Sequence, residues 1–510
     1  MITWILLCLA GAATSTAQPE VMRREVVVDL SDDWVPRMLT DDPARGEPGR
    51  NPYRAEFVRL ANQPADSEER FLDLYGIPPS LAVVGARLLD DDRHRCHAAV
   101  PPMPASSTPG KMRESLLATQ GHLRCDGLFD RLPDGVGDAT TSAGIRLYQR
   151  EQAIIGVGGL DAETREALAT DSRELDFRVL LRVLRERVVD ATGIIEDGSA
   201  LGQRGTVLGR LLDCREMRST DRLPPLPGGA PDLVSLLTEE VAHALGWNDP
   251  QSATAFFRQG GPTATRDRRV PVSLNVPPAY HSRDMQIGAE IVTGGRRPEL
   301  RLVARPDRGP DVVLVRWPTT KGGWQSEKTG DASVEMKFKR SAMGAFVWRD
   351  LISAPAWFPP DTTPDAELVR KTADGGFRLN REAVGPGYRS AYGLVMLIHH
   401  RPPQVWGAEE APLLYDAQTR THGTANYRSV THGDSHGCHR LYSALATRLA
   451  SFLLDHRPSI RRGPIVAHYR RIVVWKGRRM PLRADLRGYL YELTPPVPVR
   501  VIQHDERTAL

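Results

Sequence analysis

A thiol set among imidazoles is the grouping in this sequence best suited to chemistry. It lies in Thr431-His432-Gly433-Asp434-Ser435-His436-Gly437-Cys438-His439-Arg440, with Thr421-His422-Gly423-Thr424 just upstream. Covalent acyl transfer requires such a pairing, because the thiolate attacks and a neighbouring histidine generates and stabilises it. Downstream, Leu441, Leu445, Leu449 and Phe452 or Leu453 recur at helical spacing, so a helix with one apolar face is expected. Cys438 is then expected at or just before a helix N-terminus, where exposed N–H groups lower a thiol pKa. Glycine at 437 lets the backbone approach a substrate carbonyl. The N–H groups of Gly437 and Cys438 are therefore candidates for an oxyanion hole.

These residues resemble the L,D-transpeptidases of bacterial cell walls, whose signature is His-Gly-Thr, a loop, then Ser-x-Gly-Cys with Arg or Asn two residues past the Cys. Here His422-Gly423-Thr424 precedes Ser435-His436-Gly437-Cys438, and Arg440 fills the last position. The resemblance implies Cys438 as nucleophile and His422 as general base, with the backbone carbonyl of Gly423 orienting it. It places His436 and Gly437 in the oxyanion loop and Arg440, Thr424 and Ser435 on the substrate side. His439 departs from the family, which usually has an aliphatic residue there. The resemblance spans roughly residues 268–475 and includes Gly344-Ala345-Phe346-Val347-Trp348-Arg349, Trp357-Phe358-Pro359-Pro360 and Gly385-Pro386-Gly387. It implies a donor stem tetrapeptide, an acceptor amine, 3→3 cross-links through a Cys thioester, and sensitivity to carbapenem-type inhibitors. Water or a lipoprotein lysine as acceptor, and an inactive wall-binding structural protein, are the alternatives. Cysteine chemistry of this kind needs no metal and no cofactor.

Other readings of the same residues exist. His432, His436, Cys438 and His439 could chelate zinc, but Gly433 and Gly437 break helices and no second Cys stands at ligand spacing. A buried thiol behaving as a small hydrophobe is common, yet flanking Gly, His and Arg argue against it. Arg440 suits a solvated or capping charge, or a substrate carboxylate, equally. His399-His400 ends an apolar run and reads as structural or surface.

The first residues read as an export signal, giving a periplasmic or envelope, wall-associated protein. Trp4 to Ala10 is a short apolar core, and Ser15 and Ala17 fit a cleavage site over 1–17 with a mature start near Gln18. No run is long enough for a stable membrane span. Lys+Arg number 67 against 63 Asp+Glu, a net +4, so nucleic acid is not indicated as a partner. After signal removal Cys96, Cys125, Cys214 and Cys438 remain. Cys96 and Cys125 are the nearest pair, but connectivity stays open.

The elements that position these groups divide the chain. An irregular lead-in is expected over 18–66, then a helical segment with Phe71, Leu72, Leu74, Tyr75, Leu81, Val84 and Leu88, closing on a Pro-rich linker by 110. Residues 111–170 resemble the small three-helix peptidoglycan-binding domain, through Leu116 to Leu123, Asp126-Gly127-Leu128-Phe129-Asp130 and Gly159-Leu160-Asp161-Ala162-Glu163-Thr164. Asp161 is placed to cap the last helix, with Thr164 at its third position. Residues 171–267 read as mainly helical, broken by Pro224 to Pro231, either extending the binding module or capping the active site. From 268 to 476 runs of Val and Leu between Gly and Pro predict a mainly β catalytic domain, with strands at Val270–Val276, Met285–Val292, Leu300–Ala304, Val312–Trp317, Tyr392–Ile398 and Ile465–Trp475. A C-terminal extension is expected over 477–510, with one more strand at Gly488–Leu493. The fold class expected is multidomain α+β.

Overall fold

The computed structural model describes residues 22–40, 51, 53–63, 76–104, 108–152, 154, 158–200, 233–260, 264–266, 268–276, 286–294, 297–305, 311–329, 333–372, 375–402 and 414–503. The expected export signal, the residues from Phe71 to Tyr75, Cys214 and the stretch 224–231 lie outside them. The described chain is mixed α and β, with a large, mainly β region.

Most β-branched runs expected as strands are strands. β1 (Met22–Asp29) pairs antiparallel with β2 (Arg269–Val276). β3 (Gln286–Val292), β4 (Glu299–Arg305) and β5 (Val312–Pro318) follow as an antiparallel meander. β6 (Lys321–Gly322), β7 (Trp324–Lys328) and β8 (Val334–Phe338) are short, and β7 and β8 form a hairpin. β9 (Gly344–Ser353), β10 (Val369–Lys371), β11 (Phe377–Leu379) and β12 (Val395–Arg401) come next. Tyr392 itself stands in the turn before β12. β13 (Tyr415–Thr424), β14 (Asp434–Ser435) and β15 (His439–Tyr442) bracket the thiol. β16 (Ser459–Trp475) and β17 (Arg478–Ile502) make a long hairpin.

The main sheet runs β15-β13-β12-β9-β17-β3-β4-β5, with β16 on β17. β17 lies between β9 and β3, so much of the expected C-terminal extension is instead a central strand. Val497, Val499 and Val501 are fully buried there, and their apolar alternation explains the position. The lead-in is not wholly irregular either. β1, a short 3-10 turn at Arg37–Leu39 and α1 (Tyr53–Ala61) order it, with Met38, Leu39, Phe57 and Leu60 in the main core.

Helices flank the sheet. α2 (Leu81–Leu88) buries Leu81, Val84 and Leu88, the expected stripe. α3 (Asp91–Ala98) carries Cys96, joined by a disulfide to Cys125 at the end of α4 (Pro109–Cys125). α5 (Ala139–Glu151) and α6 (Ala162–Ala169) complete a three-helix group around Leu123, Ile145, Tyr148 and Leu168. Asp161 caps α6 by accepting from the Thr164 N–H at 2.8 Å. Arg93 bonds both Asp126 (2.7 Å) and Asp176 (2.6 Å), tying α3 to the end of α4 and to α7 (Ser172–Thr192). Burial alone would raise the Asp126 carboxyl; His97 and Arg93 more than offset that and hold it well below the usual range.

α7, α8 (Leu233–Ala244) and α9 (Pro250–Gly260) pack with α2 and the β1–β2 ribbon into a second core. A single turn, α10 (Arg381–Val384), and α11 (Tyr427–His432) precede α12 (Ser443–His456). α12 lays Leu445, Leu449, Phe452 and Leu453 on the main sheet, and Arg448 reaches back to Glu186 of α7 with its Nε at 2.9 Å. The α7 side of the molecule therefore backs the sheet through α12. Among the described residues, no helix is long and apolar enough to cross a membrane.

Candidate functional site

Strand register decides which side chains meet. In β13 His422 pairs with Met396 of β12 and with Arg440 of β15, whereas Thr421 pairs with Leu397 and His439. Side chains alternate faces along a strand. His422, Met396 and Arg440 therefore share one face, and Leu397, Thr421 and His439 share the other, which α12 covers. Cys438 sits one residue before β15, two before Arg440, and is half-buried. It does not open a helix. β15 intervenes and α12 starts only at Ser443, so the helix dipole expected to act on the thiol is a strand's length away.

His422 is buried, and its Nδ1–H donates to the Gly423 carbonyl at 2.7 Å. That bond fixes the tautomer and leaves Nε2 as the acceptor. The Tyr392 ring stands edge-on to the imidazole, centroids 4.8 Å apart. Gly393 (φ +62°) brings the Tyr392 turn so close to Gly423 that a Cβ there would meet the Gly423 carbonyl carbon at 2.9 Å. Burial, then the nearby Arg440 cation, push the His422 pKa down to about 3, so the ring is neutral.

Electrostatics around the thiol reverse one expectation. Burial pushes the Cys438 pKa up, and the Arg420 amide, the Arg420 guanidinium and Arg440 pull against it without prevailing. The thiol is therefore protonated at rest, and His422, on the same sheet face by register, is neutral. Arg420 is held by Asp416, 2.6 Å away at both nitrogens. Arg440 is half-buried, and its buried Nε has no hydrogen-bond partner among the described residues.

The loop is pinned from below by residues that sequence reasoning missed. The Thr320 hydroxyl donates to the Cys438 carbonyl (2.8 Å) and accepts the Arg440 N–H (2.9 Å). Its carbonyl accepts the His439 Nδ1–H at 2.9 Å, so one threonine holds three consecutive residues. Thr319 donates to the Arg440 carbonyl at 2.9 Å, and Ser341 to that of Gly437 at 3.1 Å. No motif marks Thr319, Thr320 or Ser341. Arg420 was findable, since it stands two residues before His422 on the same strand face.

Three assigned roles change. The Gly437 N–H donates to Ser435 Oγ at 3.1 Å and so is committed inward rather than to a substrate oxyanion. Ser435 is fully buried, with its hydroxyl between the carbonyls of Lys321 (3.0 Å) and Cys438 (2.5 Å), and braces the loop instead of lining a pocket. Thr424 is buried too, its Oγ1 accepting the Asn426 N–H at 3.0 Å. His436 is exposed at the rim of the loop.

The remaining histidines separate. His432 is exposed and bonded to the Arg428 carbonyl at 2.7 Å, while His439 is fully buried under the sheet, so the zinc ligand set does not converge. His399 bonds the Thr421 hydroxyl (2.8 Å) and lies 5.6 Å from the His439 ring; His400 bonds Asp350 (3.1 Å). Both are structural. No protein-family model matches the chain, and neither does any curated protein.

Proposed function

We propose that the chain is a cysteine-dependent acyltransferase of the L,D-transpeptidase type, exported to the cell envelope and acting on peptidoglycan stem peptides. The observation that carries this reading is the His422 tautomer. Nδ1–H is spent on the Gly423 carbonyl, and a lone pair at Nε2 stands on the face that carries Arg440 and adjoins Cys438. A buried, neutral imidazole is a competent base for a neutral thiol.

His422 Nε2 takes the thiol proton as Sγ bonds the carbonyl carbon after the third residue of a donor tetrapeptide. The C–N bond then breaks, the leaving D-residue takes the proton from the imidazolium, and a thioester remains. The amine of a second stem attacks that carbonyl and gives its proton to His422, and the C–S bond breaks to yield a 3→3 cross-link while the imidazolium returns the proton to Sγ. Arg440, half-buried on the same sheet face as His422, would hold a stem carboxylate through its guanidinium. The three-helix group of α4, α5 and α6 would dock the enzyme on the wall, its Asp161 cap supporting the likeness to wall-binding modules.

Incubating the purified chain with tetrapeptide stems and weighing the products tests the reading. A cross-linked dimer is expected. A tripeptide alone would make water the acceptor, and coupling to an added lysine peptide would point to lipoprotein attachment. No product with any acceptor would leave a wall-binding structural protein.

A further inference from the structure

We infer that the outer face of the β16–β17 hairpin is a docking surface for an anionic lipid bilayer. The inference goes beyond the acyl transfer proposed above and does not depend on it. Its basis is a concentration of charge. Arg470 to Arg483 holds six cations (Arg470, Arg471, Lys476, Arg478, Arg479 and Arg483) and no carboxylate within fourteen residues, while the whole chain nets only +4.

The hairpin has two different faces. Val473, Met480, Leu482 and Ala484 point inward and form a small core with Leu368 and Val384, which anchors the arm. The opposite face is open. Register places Val474 beside Arg479, Ile472 beside Pro481 and Arg470 beside Arg483. Like charges directly opposite across a strand pair repel. Asp485 answers Arg470 on this face, while Arg471 turns to Asp365 on the inner one; Arg479 and Arg483 on the outer face, and Arg478 opposite Trp475 at the hairpin tip, are exposed and meet no carboxylate among the described residues.

Aliphatic side chains share this cationic face. Val466 is 68% exposed, Ile472 47% and Val474 44%. A purely ionic polymer would contact the arginines and gain nothing from these three. At a bilayer surface both groups are used: guanidinium ions meet lipid phosphates while the branched side chains enter the acyl boundary. Arginine's long stem allows both contacts from one flat ribbon.

Co-sedimentation of the full chain with vesicles tests this. Binding is expected to phosphatidylcholine vesicles containing phosphatidylglycerol and not to phosphatidylcholine alone, and to fall with added salt. Arg478→Ser, Arg479→Ser and Arg483→Ser together should weaken partitioning on the order of a hundredfold. The same three positions as Lys should retain it. Ile472→Ser with Val474→Ser should weaken it by about tenfold. All five positions are exposed, and an unchanged melting temperature checks the fold of each variant. Absence of binding to the anionic vesicles, equal binding to both vesicle types, or indifference to the serines at 472 and 474 would overturn the inference. The last result would describe a purely ionic partner such as an anionic wall polymer.

Discussion

At the scale of single residues, the site combines a thiol that burial keeps protonated with an imidazole that burial keeps neutral. Burial raises the Cys438 pKa despite Arg420 and Arg440. Alkylation of Cys438 should therefore have a pH midpoint above the free-thiol value of about 8.5, measured by peptide-level mass analysis across a pH series. A midpoint below it would show that the arginines prevail over desolvation. In the reaction proposed above, such a pair would react by proton transfer during attack rather than from a preformed thiolate, with His422 Nε2 as the base. Thr320 is the residue on which loop position depends most. Thr320→Val keeps the shape but leaves the part-buried Arg440 N–H without its acceptor, at a cost of about 1 kcal/mol. Activity should fall through kcat more than KM, because the nucleophile is misplaced while the arginine charges remain. An equal effect on both constants would argue against positioning.

At the scale of elements, the loop carrying Cys438 and α12 are joined by β15, and α12 in turn is locked to α7. Arg448 is nearly fully buried in that contact, paired with Glu186. Arg448→Ala should destabilise the protein by about 3 kcal/mol in denaturant unfolding, since it removes the hydrogen-bonded partner of Glu186 and leaves Arg185 as its remaining cation. A loss under about 1 kcal/mol, the level of an exposed pair, would mean that solvent already screens it. The strands at Arg269–Val276, Glu299–Arg305 and Val312–Pro318 were legible because valine and leucine runs end at glycine or proline. Motif spacing singled out Cys438 and His422, and strand register puts both on one sheet face. The role of β17 was not, because its central place depends on pairing with β9 and β3, far away in the chain. The helix start expected at Cys438 failed for a similar reason. Leu441 is compatible with a helix stripe and a strand alike, and parallel pairing with Gly423 settles it as strand. The inward N–H of Gly437 depends on Ser435 turning back into the loop, which spacing alone does not encode.

At the scale of the whole molecule, buried neutral histidines make the fold sensitive to acid. Burial lowers the His439 pKa to about 4, against the opposing bond to Thr320, while an unfolded chain titrates near 6.5. The folded value is depressed, so the unfolded state binds protons first. This contribution is complete above about pH 6.5 and is lost as pH falls towards about 4, a change on the order of 3 kcal/mol. His439→Leu should flatten the fall in unfolding free energy over that window, and an unchanged slope would assign the acid sensitivity to other groups. The central claim joins residue, element and molecule in one covalent event at Cys438. Intact-mass analysis of the full chain mixed with a stem tetrapeptide, followed by peptide mapping, tests it most directly. The account expects an adduct on Cys438 equal in mass to the donor less its terminal D-residue and a water, discharged by an added amine and absent in Cys438→Ser. No adduct on the folded parent chain, or undiminished turnover in Cys438→Ser, would contradict it.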